Sequence, residues 1–232
     1  MRNLFLGGGA CLLVAFLLPA DARLGPVVFN PSMFLGSAIG PLAAGAWFLL
    51  YIKVGKFRHR DMMLGLIHWR GDEQVLDVGC GRGLLLAGAA RHLTTGHATG
   101  IDVWSNKDMG GNSAAATMRN LEIEDITSRC TIVGIPAQEM SFSDASFDVV
   151  VSNLCLHNIE DVTTRRRALE QIARVLRPGG TALISDYKLT GEYASVLQAS
   201  GLVVEKRHGS FVTTFPHLTV VIARKPALGS GT

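Results

Sequence analysis

The chain has 232 residues, of which 48% are hydrophobic and only 18% are charged. This length suffices for one ordinary domain with some chain left over. Soluble globular proteins carry about 25% charged residues, so the low charge excludes a disordered, collagen-like or coiled-coil protein and indicates that part of the chain meets lipid.

The positive charge is concentrated near the amino terminus. Residues 1–60 contain six basic side chains and one acidic side chain, whereas the remaining residues contain 16 basic and 18 acidic side chains. Residues 61–232 have no excess of basic side chains to attract phosphate groups, so nucleic acid is excluded as a partner. A positive charge concentrated beside an apolar stretch is typical of a membrane-attached protein.

The cysteine pattern argues against a metal site. The four cysteines stand far apart and include no CxxC pair: Cys11, Cys80, Cys130 and Cys155. Neither a structural zinc site nor a disulfide framework is indicated, so we expect a reduced, cytoplasmic body without a metal ion.

Two apolar runs precede most of the basic residues. Residues 4–20 carry no charge, and the 20 residues at 33–52 would span the roughly 30 Å hydrocarbon layer of a bilayer. Trp47 and Tyr51 lie near the end of the second run and basic residues follow at once, which places the next segment in the cytoplasm. We therefore expect residues 1–56 to form a membrane anchor, most simply a two-helix hairpin.

Each apolar run has an alternative interpretation. Residues 4–20 also fit a cleaved signal peptide, because Arg2 precedes an apolar core that ends in Ala20-Asp21-Ala22. Residues 33–52 also fit the buried helix of a soluble core.

Small residues recur in the second run. Gly36, Gly40 and Ala44 lie four residues apart, which would allow a second helix to approach closely. The glycines at 7–9 would play the same part on the first helix.

From residue 57 onward, segments rich in β-branched residues alternate with helical segments, as in βαβ units around a parallel sheet. Expected strands cover residues 74–78, 97–102, 130–134, 147–152, 180–186, 202–208 and 218–224, and expected helices cover residues 82–93, 113–124, 163–176 and 192–199. Because no helix separates the last two strands, they should form an antiparallel hairpin at one sheet edge. The predicted fold is a Rossmann-like, doubly wound α/β domain over residues 57–226 with a seven-stranded sheet, followed by a flexible tail at 227–232.

The first strand of this domain runs directly into a glycine-rich turn, VLDVGCGRG. Glycines at positions 79, 81 and 83 allow backbone N–H groups to approach a ligand at a helix N terminus. Asp77 lies inside the strand end, and Asp102 ends the next strand, about 20 residues beyond the glycines, where nucleotide-binding α/β folds bind ribose hydroxyls. A tight strand-to-helix connection is the alternative for the turn alone, but the combination predicts a nucleotide site.

The nucleotide is indicated by the residue after the third glycine. The dinucleotide fingerprint requires Gly or Ala where this chain has Leu84, which disfavours an NAD(P)-dependent oxidoreductase. The segment instead resembles the D-x-G-x-G-x-G motif of class I S-adenosylmethionine (SAM) dependent methyltransferases. Residues 147–153 look like the fourth strand of that family and residues 176–180 like the turn before its fifth. The small-molecule branch, of the type that includes quinone-biosynthesis methyltransferases, looks nearest.

The resemblance implies a set of cofactor-binding residues: Asp77, Gly79, Cys80, Gly81, Gly83, Asp102, Val103, Ala137, Gln138 and Asn153. Asp77 would lie near the ammonium group of SAM, and Asp102 would accept hydrogen bonds from both ribose hydroxyls. Val103 or Trp104 would cover an adenine face, and Asn153 would line the methionine and sulfonium region.

The sequence departs from the family at the adenine edge. Many relatives carry an acidic residue there, whereas this chain has Pro136 and Ala137 before Gln138. The backbone N–H of Ala137 remains available for adenine, while the side-chain carboxylate is missing.

Methyl transfer from a sulfonium needs no acid for the leaving group, so alignment of the reactants can supply much of the catalysis. If the acceptor is a hydroxyl or an acidic carbon, His157 is the best-placed general base, since it follows Asn153 on the same loop. A histidine that only hydrogen-bonds its loop is the alternative. Because the domain is tethered to a bilayer, we expect a small or lipid-like acceptor, such as a quinone precursor or a lipid headgroup. A non-catalytic, SAM-binding membrane scaffold is the alternative function.

Overall fold

The computed structural model describes residues 2–17, 22–24, 27–105, 111–209, 214 and 217–227. The chain divides into two compact units, Met1–Lys56 and Phe57–Thr232. Most of the tail predicted at 227–232 lies outside the described residues, as do Ala20 and Asp21 of the possible cleavage site.

The first unit is a helical hairpin. Helix α1 (Arg2–Leu17) packs against α2 (Pro31–Leu50), and a short antiparallel ribbon of β1 (Ala22–Leu24) and β2 (Val27–Phe29) lies between them in the chain. A π-helical turn, Tyr51–Gly55, follows α2.

Only one described helical run, Phe34–Leu64, is long and apolar enough to cross a membrane by length and composition. The apolar part of that run ends near Ile52, where the basic residues begin. Helix α1 has 16 residues, so at 1.5 Å per residue it extends about 24 Å, less than the roughly 30 Å of a hydrocarbon layer.

The close contact between α1 and α2 uses a different face from the predicted one. Gly36 and Gly40 are exposed, and a Cβ added to either would meet nothing within 4 Å. Gly8 is buried instead, and a Cβ there would lie 2.8 Å from Leu42 Cγ and 3.4 Å from the carbonyl oxygen of Ala38. The predicted contact at Gly36 and Gly40 was therefore wrong, because spacing alone does not specify which helix face meets the partner. On the first helix, Gly8 of the predicted glycines at 7–9 does lie in the contact.

The second unit is an α/β domain with one seven-stranded sheet of order β5-β4-β3-β6-β7-β9-β8. Its strands are β3 (Gln74–Val78), β4 (His97–Ile101), β5 (Cys130–Val133), β6 (Phe147–Asn153), β7 (Leu176–Asp186), β8 (Val203–His208) and β9 (Thr219–Arg224). The first five are parallel, while β9 pairs antiparallel with both β7 and β8. The Rossmann-like sheet and its antiparallel terminal hairpin are thus as predicted.

Helices cover both faces of this sheet. They are α3 (Lys56–Leu64), α4 (Leu84–Ala90), α5 (Ala114–Ile123), α6 (Val162–Val175) and α7 (Thr190–Ala199). One buried cluster joins the sheet to α6 and α7, and the other joins it to α3, α4 and α5. Neighbouring strand residues such as Val75 and Leu76 belong to opposite clusters, as the alternation of side chains along a strand requires.

Two element boundaries differ from the prediction for local reasons. Helix α4 begins at Leu84 rather than at residue 82, since Gly83 takes a left-handed conformation with φ of +84°. The expected turn at residues 176–180 is part of β7, whose pairing with β6 begins at Leu176 and shifts register before Thr181. The Pro-Gly-Gly sequence therefore forms an irregularity inside a longer strand.

Candidate active site

The glycine turn lies at the carboxyl end of β3. The backbone N–H groups of Gly79 and Cys80 both donate to the carbonyl oxygen of Ile101, at 2.8 and 3.0 Å, which ties the turn to β4. Gly79 has φ of +73°, and a Cβ there would lie 2.0 Å from the Cys155 sulfur. Only glycine fits this position, because any side chain would collide with Cys155.

The thiol of Cys80 has a structural role. It is buried, and a Cβ added to Gly100 would lie 2.9 Å from its sulfur. Burial raises the pKa of the Cys80 thiol, which keeps it protonated.

Asp77 is a buried carboxyl group whose Oδ2 atom has no hydrogen-bond partner among the described residues. Burial raises the pKa of Asp77 to about 7; the negative charge of Asp102 adds to this, and the backbone N–H of Leu86 opposes it. A buried oxygen without a donor is costly, so this position suits a ligand that brings a cationic donor.

Asp102 lies just beyond the carboxyl end of β4, beside the same turn. Its Oδ2 accepts a hydrogen bond from the Gly81 N–H at 2.8 Å, and its Oδ1 accepts one from the Trp104 N–H at 2.5 Å. Since a carboxylate offers about four acceptor sites, both oxygens keep capacity for a ligand.

The carboxyl ends of β6 and β7 hold a second group of polar side chains. Asn153 ends β6, and its buried Oδ1 has no hydrogen-bond partner within the described parts of the chain. Its register partner on β7 is Ser185, whose hydroxyl lies 2.7 Å from Nε2 of His59. His59 belongs to α3 and is 2% exposed.

His157 and Asp186 form a hydrogen-bonded pair at this edge of the sheet. Nδ1 of His157 lies 2.8 Å from Oδ1 and 3.0 Å from Oδ2 of the buried Asp186 carboxylate. That carboxylate also accepts hydrogen bonds from the Tyr193 hydroxyl at 3.1 Å and from the Tyr187 N–H at 2.8 Å. The arrangement favours the imidazole tautomer with its proton on Nδ1, which leaves Nε2 as an acceptor.

Residues 76–184 match the family model described as a methyltransferase domain. The 27-O-demethylrifamycin SV methyltransferase of Amycolatopsis mediterranei is 33% identical over 57% of this chain and 45% of its own length. The ubiquinone/menaquinone biosynthesis C-methyltransferase of Vibrio parahaemolyticus is 31% identical over 55% of this chain and 51% of its own. The chain therefore spans about half the length of the curated relatives it matches.

The family match and these relatives support the class I SAM-dependent methyltransferase family for residues 76–184. The crystal structure of the N-methyltransferase NodS from Bradyrhizobium japonicum with S-adenosyl-L-homocysteine has the same fold, with a TM-score of 0.59 and 20% identity over 73% of this chain and 86% of that one. SAM is the cofactor of the family.

The residues of the methyltransferase domain suit this cofactor. Asp77 Oδ2 and Asn153 Oδ1 are buried polar atoms without hydrogen-bond partners in the described part of the chain. Asp77 is the second-last residue of β3, and Asn153 ends the neighbouring strand β6. SAM carries an ammonium group that could donate to Asp77, and ribose hydroxyls that suit Asp102.

The residues predicted to contact adenine do not form a buried cluster. Val103 is 60% exposed, whereas the Trp104 indole N–H points to the Gly81 carbonyl oxygen at 3.2 Å and to the Thr117 hydroxyl at 3.0 Å. Trp104 is thus a support of the glycine turn. Ala137 and Gln138 are half-buried in a short 3₁₀ helix, Ala137–Glu139, after β5.

The structure also brings in residues for which the sequence indicated no functional role. His59 stands among basic residues in the chain, and no motif marks it. Arg165 is buried, and it joins the start of α6 to Glu192 of α7 and to the carbonyl oxygen of Ile159. No cluster of three or more His, Cys, Asp or Glu side chains that could hold a metal ion occurs in the described ranges.

Proposed function

We propose that this protein is a membrane-anchored methyltransferase that transfers a methyl group from SAM to a small or lipophilic acceptor. The observation that carries the proposal is the buried Asp77 carboxyl group beside the glycine turn of a methyltransferase domain. Its Oδ2 atom has no hydrogen-bond partner among the described residues. The turn, Asp102 and Asn153 lie at the carboxyl ends of adjacent parallel strands, which is where open α/β sheets bind their ligands.

Each side chain has a distinct part in holding SAM. Asp77 would accept from the ammonium group, and Asp102 from the ribose hydroxyls. Asn153 would line the methionine end. The turn would contribute the bare backbone at Gly79, Cys80, Gly81 and Gly83, and the adenine side would be formed by Val103, Ala137 and Gln138.

SAM supplies a methyl group on a sulfonium, and its thioether leaving group needs no proton. The protein therefore has to bind, align and exclude water, and such alignment can lower a barrier by up to about 7 to 11 kcal/mol. The closely held turn and the buried strand ends support this reading, because they provide rigid contacts on one side of the crevice.

His157 would act as a general base for an acceptor that must lose a proton. The Asp186 carboxylate holds Nδ1, so Nε2 is the atom that would take the proton from a hydroxyl or an acidic carbon. The Asp186 carboxylate would also stabilise the imidazolium that forms. It is buried, and hydrogen bonds from Tyr187 and Tyr193 hold it in place.

The surroundings of His157 support an apolar acceptor. The Tyr187 ring packs edge-on against the His157 ring with 4.8 Å between centroids, and it remains 45% exposed. Leu189, two residues later, is 36% exposed. An exposed aromatic ring beside the proposed base suits a lipophilic substrate, and two relatives are named for a rifamycin and for quinone biosynthesis.

The amino-terminal unit would hold this domain at a bilayer. Residues 33–52 are the apolar span, and the basic residues from Lys53 onward would keep the methyltransferase domain on the cytoplasmic side. The hairpin partner α1 is shorter, so it would lie partly within the same layer beside α2. This anchor would concentrate a membrane-dissolved acceptor near the site.

The cofactor assignment is tested with the full-length protein in liposomes and calorimetric titration of SAM, S-adenosylhomocysteine and NAD. We expect binding of the first two only. Asp102→Ala should weaken SAM binding about tenfold or more, because hydrogen bonds to charged groups contribute about 1.5 to 3 kcal/mol. Asp144→Ala, an exposed aspartate away from the glycine turn, is the control. Wild-type affinity in a folded Asp102→Ala protein, or a response to NAD, would contradict the assignment.

Turnover is tested with labelled SAM and a membrane extract. We expect label in a lipid-soluble product. We also expect at least about a hundredfold loss in kcat for His157→Ala, because general-base catalysis contributes about a hundredfold or more. His208→Ala, an exposed histidine on β8, should keep wild-type turnover. SAM binding without any labelled product would instead support the non-catalytic scaffold.

A further inference from the structure

His59 is a buried polar residue that the proposed chemistry does not use. It comes from α3, where the neighbouring Arg58 is exposed while His59 and Met63 form a buried face. Its Nε2 atom lies 2.7 Å from the Ser185 hydroxyl, a contact between residues 126 positions apart in the chain. The fold therefore brings this imidazole to the carboxyl end of β7.

Two unsatisfied atoms belong to side chains that interact in this region. Nδ1 of His59 and Oδ1 of Asn153 are both buried, and neither makes a hydrogen bond of normal geometry with the described residues. The Asn153 side chain is nevertheless near enough to favour the charged imidazole, although burial has the larger effect and lowers the pKa of His59 to about 4. His59 is therefore neutral, with one nitrogen donating and the other accepting.

One assignment of donors and acceptors satisfies Ser185, His59 and Asn153 together. If the Ser185 hydroxyl donates to Nε2, the imidazole proton is on Nδ1 and can donate to Oδ1 of Asn153. Asn153 and Ser185 are already held together, because they are register partners and the Leu154 N–H donates to the Ser185 carbonyl oxygen at 2.9 Å. A side-chain adjustment that brings Nδ1 within hydrogen-bond distance of Oδ1 would then pair both unsatisfied atoms.

Such a chain of hydrogen bonds would fix the orientation of the Asn153 carboxamide. With Oδ1 engaged by His59, the amide NH₂ is directed away from α3 and offers two donors to a ligand. Without a partner, Oδ1 and NH₂ could exchange places and present the wrong group to the cofactor.

We infer that His59 is a positioning residue, which acts through Asn153 to orient the carboxamide that receives the methionine end of SAM. This inference rests on the proposed function, since it presupposes that Asn153 lines the SAM site. It assigns a role in the methyltransferase site to the helix that directly follows the amino-terminal unit.

The test compares SAM affinity among variants of the full-length protein. His59→Asn places an amide donor near the position of Nδ1, whereas His59→Gln places one near Nε2. We expect His59→Asn to remain within about threefold of wild type and His59→Gln and His59→Leu to lose about tenfold, because only the first keeps a donor for Asn153. Met63→Ala removes buried volume from the same helix face, and it should lower the melting temperature without changing SAM affinity.

A double-mutant cycle separates positioning from general destabilisation. Asn153→Ala should weaken SAM binding, and His59→Leu should then have no further effect in the Asn153→Ala background. Additive losses, wild-type affinity in His59→Leu, or an equal loss in Met63→Ala would overturn the inference. If His59→Leu does not fold, Ser185→Ala replaces it, with a several-fold loss of SAM affinity expected and wild-type affinity again contradicting the role.

Failure of the inference can be told apart from failure of the proposed function. If the wild-type protein binds SAM and Asp102→Ala weakens this binding, the cofactor site is supported regardless of the His59 result. Wild-type protein that does not bind SAM removes the proposed function and the inference together.

Discussion

The Asp77 carboxyl combines burial, a raised pKa of about 7 and one oxygen without a partner. In the ligand-free protein it is largely protonated below that pH, whereas an ammonium ligand is bound best by the carboxylate. The residue therefore couples cofactor binding to proton release.

This coupling predicts two opposite pH trends. Because the pKa of Asp77 is higher in the folded protein than in the unfolded chain, its contribution to stability is full below about pH 4 and is lost as the pH rises through about 7. SAM affinity should instead rise as the pH increases toward and above 7. Urea unfolding without SAM and calorimetry with SAM between pH 5 and about 8.5 measure the two trends.

The control for both trends is Asp77→Asn, which keeps the shape but cannot ionise. It should bind SAM weakly at every pH, and the part of the stability profile due to this residue should become flat. A wild-type affinity for SAM that falls between pH 6 and about 8 would show that the protonated acid is the binding form.

At the scale of elements, the loop between β6 and α6 presents His157, and its two ends are fastened. At the first end, Leu154 has φ of +55° and its N–H donates to Ser185. At the second end, Asp161 caps α6 by accepting a hydrogen bond from the Thr164 N–H at 2.7 Å. The position of His157 thus depends on contacts outside the loop.

Arg165 is the contact that joins this loop to α7. Its guanidinium donates to both carboxylate oxygens of Glu192, at 2.8 and 2.9 Å, and to the carbonyl oxygen of Ile159. Arg165→Ala should lower the free energy of unfolding by about 1.5 to 3 kcal/mol, because these are hydrogen bonds of a buried charged group. It should also reduce methyl transfer more than SAM binding, since the loop carries the proposed base.

Arg166→Ala is the matched control, because Arg166 is the next residue on the helix and is exposed. It should change stability by less than about 0.5 kcal/mol in a urea titration. If both variants lose the same stability and activity, the bidentate contact with Glu192 has no special part in holding the loop.

At the scale of the whole molecule, the two compact units meet in the chain at Lys56 and Phe57. A chain that starts at Phe57 keeps most of α3, including His59 and the buried Met63 and Leu64. We expect it to be soluble, to bind SAM like the full-length protein and to be absent from membranes, since the second unit has its own sheet and core.

A chain that starts at residue 65 is the comparison. It lacks α3, so it loses the apolar contacts of Met63 and Leu64 with the sheet-covering cluster and the His59 contact with Ser185. Thermal unfolding and calorimetry should show a lower melting temperature and weak SAM binding. Aggregation of the chain that starts at Phe57 would show that the amino-terminal unit belongs to the fold of the domain.

The sequence alone determined the features that depend on neighbouring residues. The glycine turn, Asp77 before it and Asp102 at the end of the next strand could all be recognised, because backbone conformation and strand patterning are local properties. His157 could be placed on the loop after β6 for the same reason.

Only the tertiary structure decided which distant groups meet. Spacing in the chain says nothing about the pairing of His59 with Ser185, or of His157 with Asp186. It placed the contact on the second helix wrongly at Gly36 and Gly40. It also left open that β9 lies between β7 and β8. These contacts follow from the way the two faces of each element are buried, and burial is a property of the folded chain as a whole.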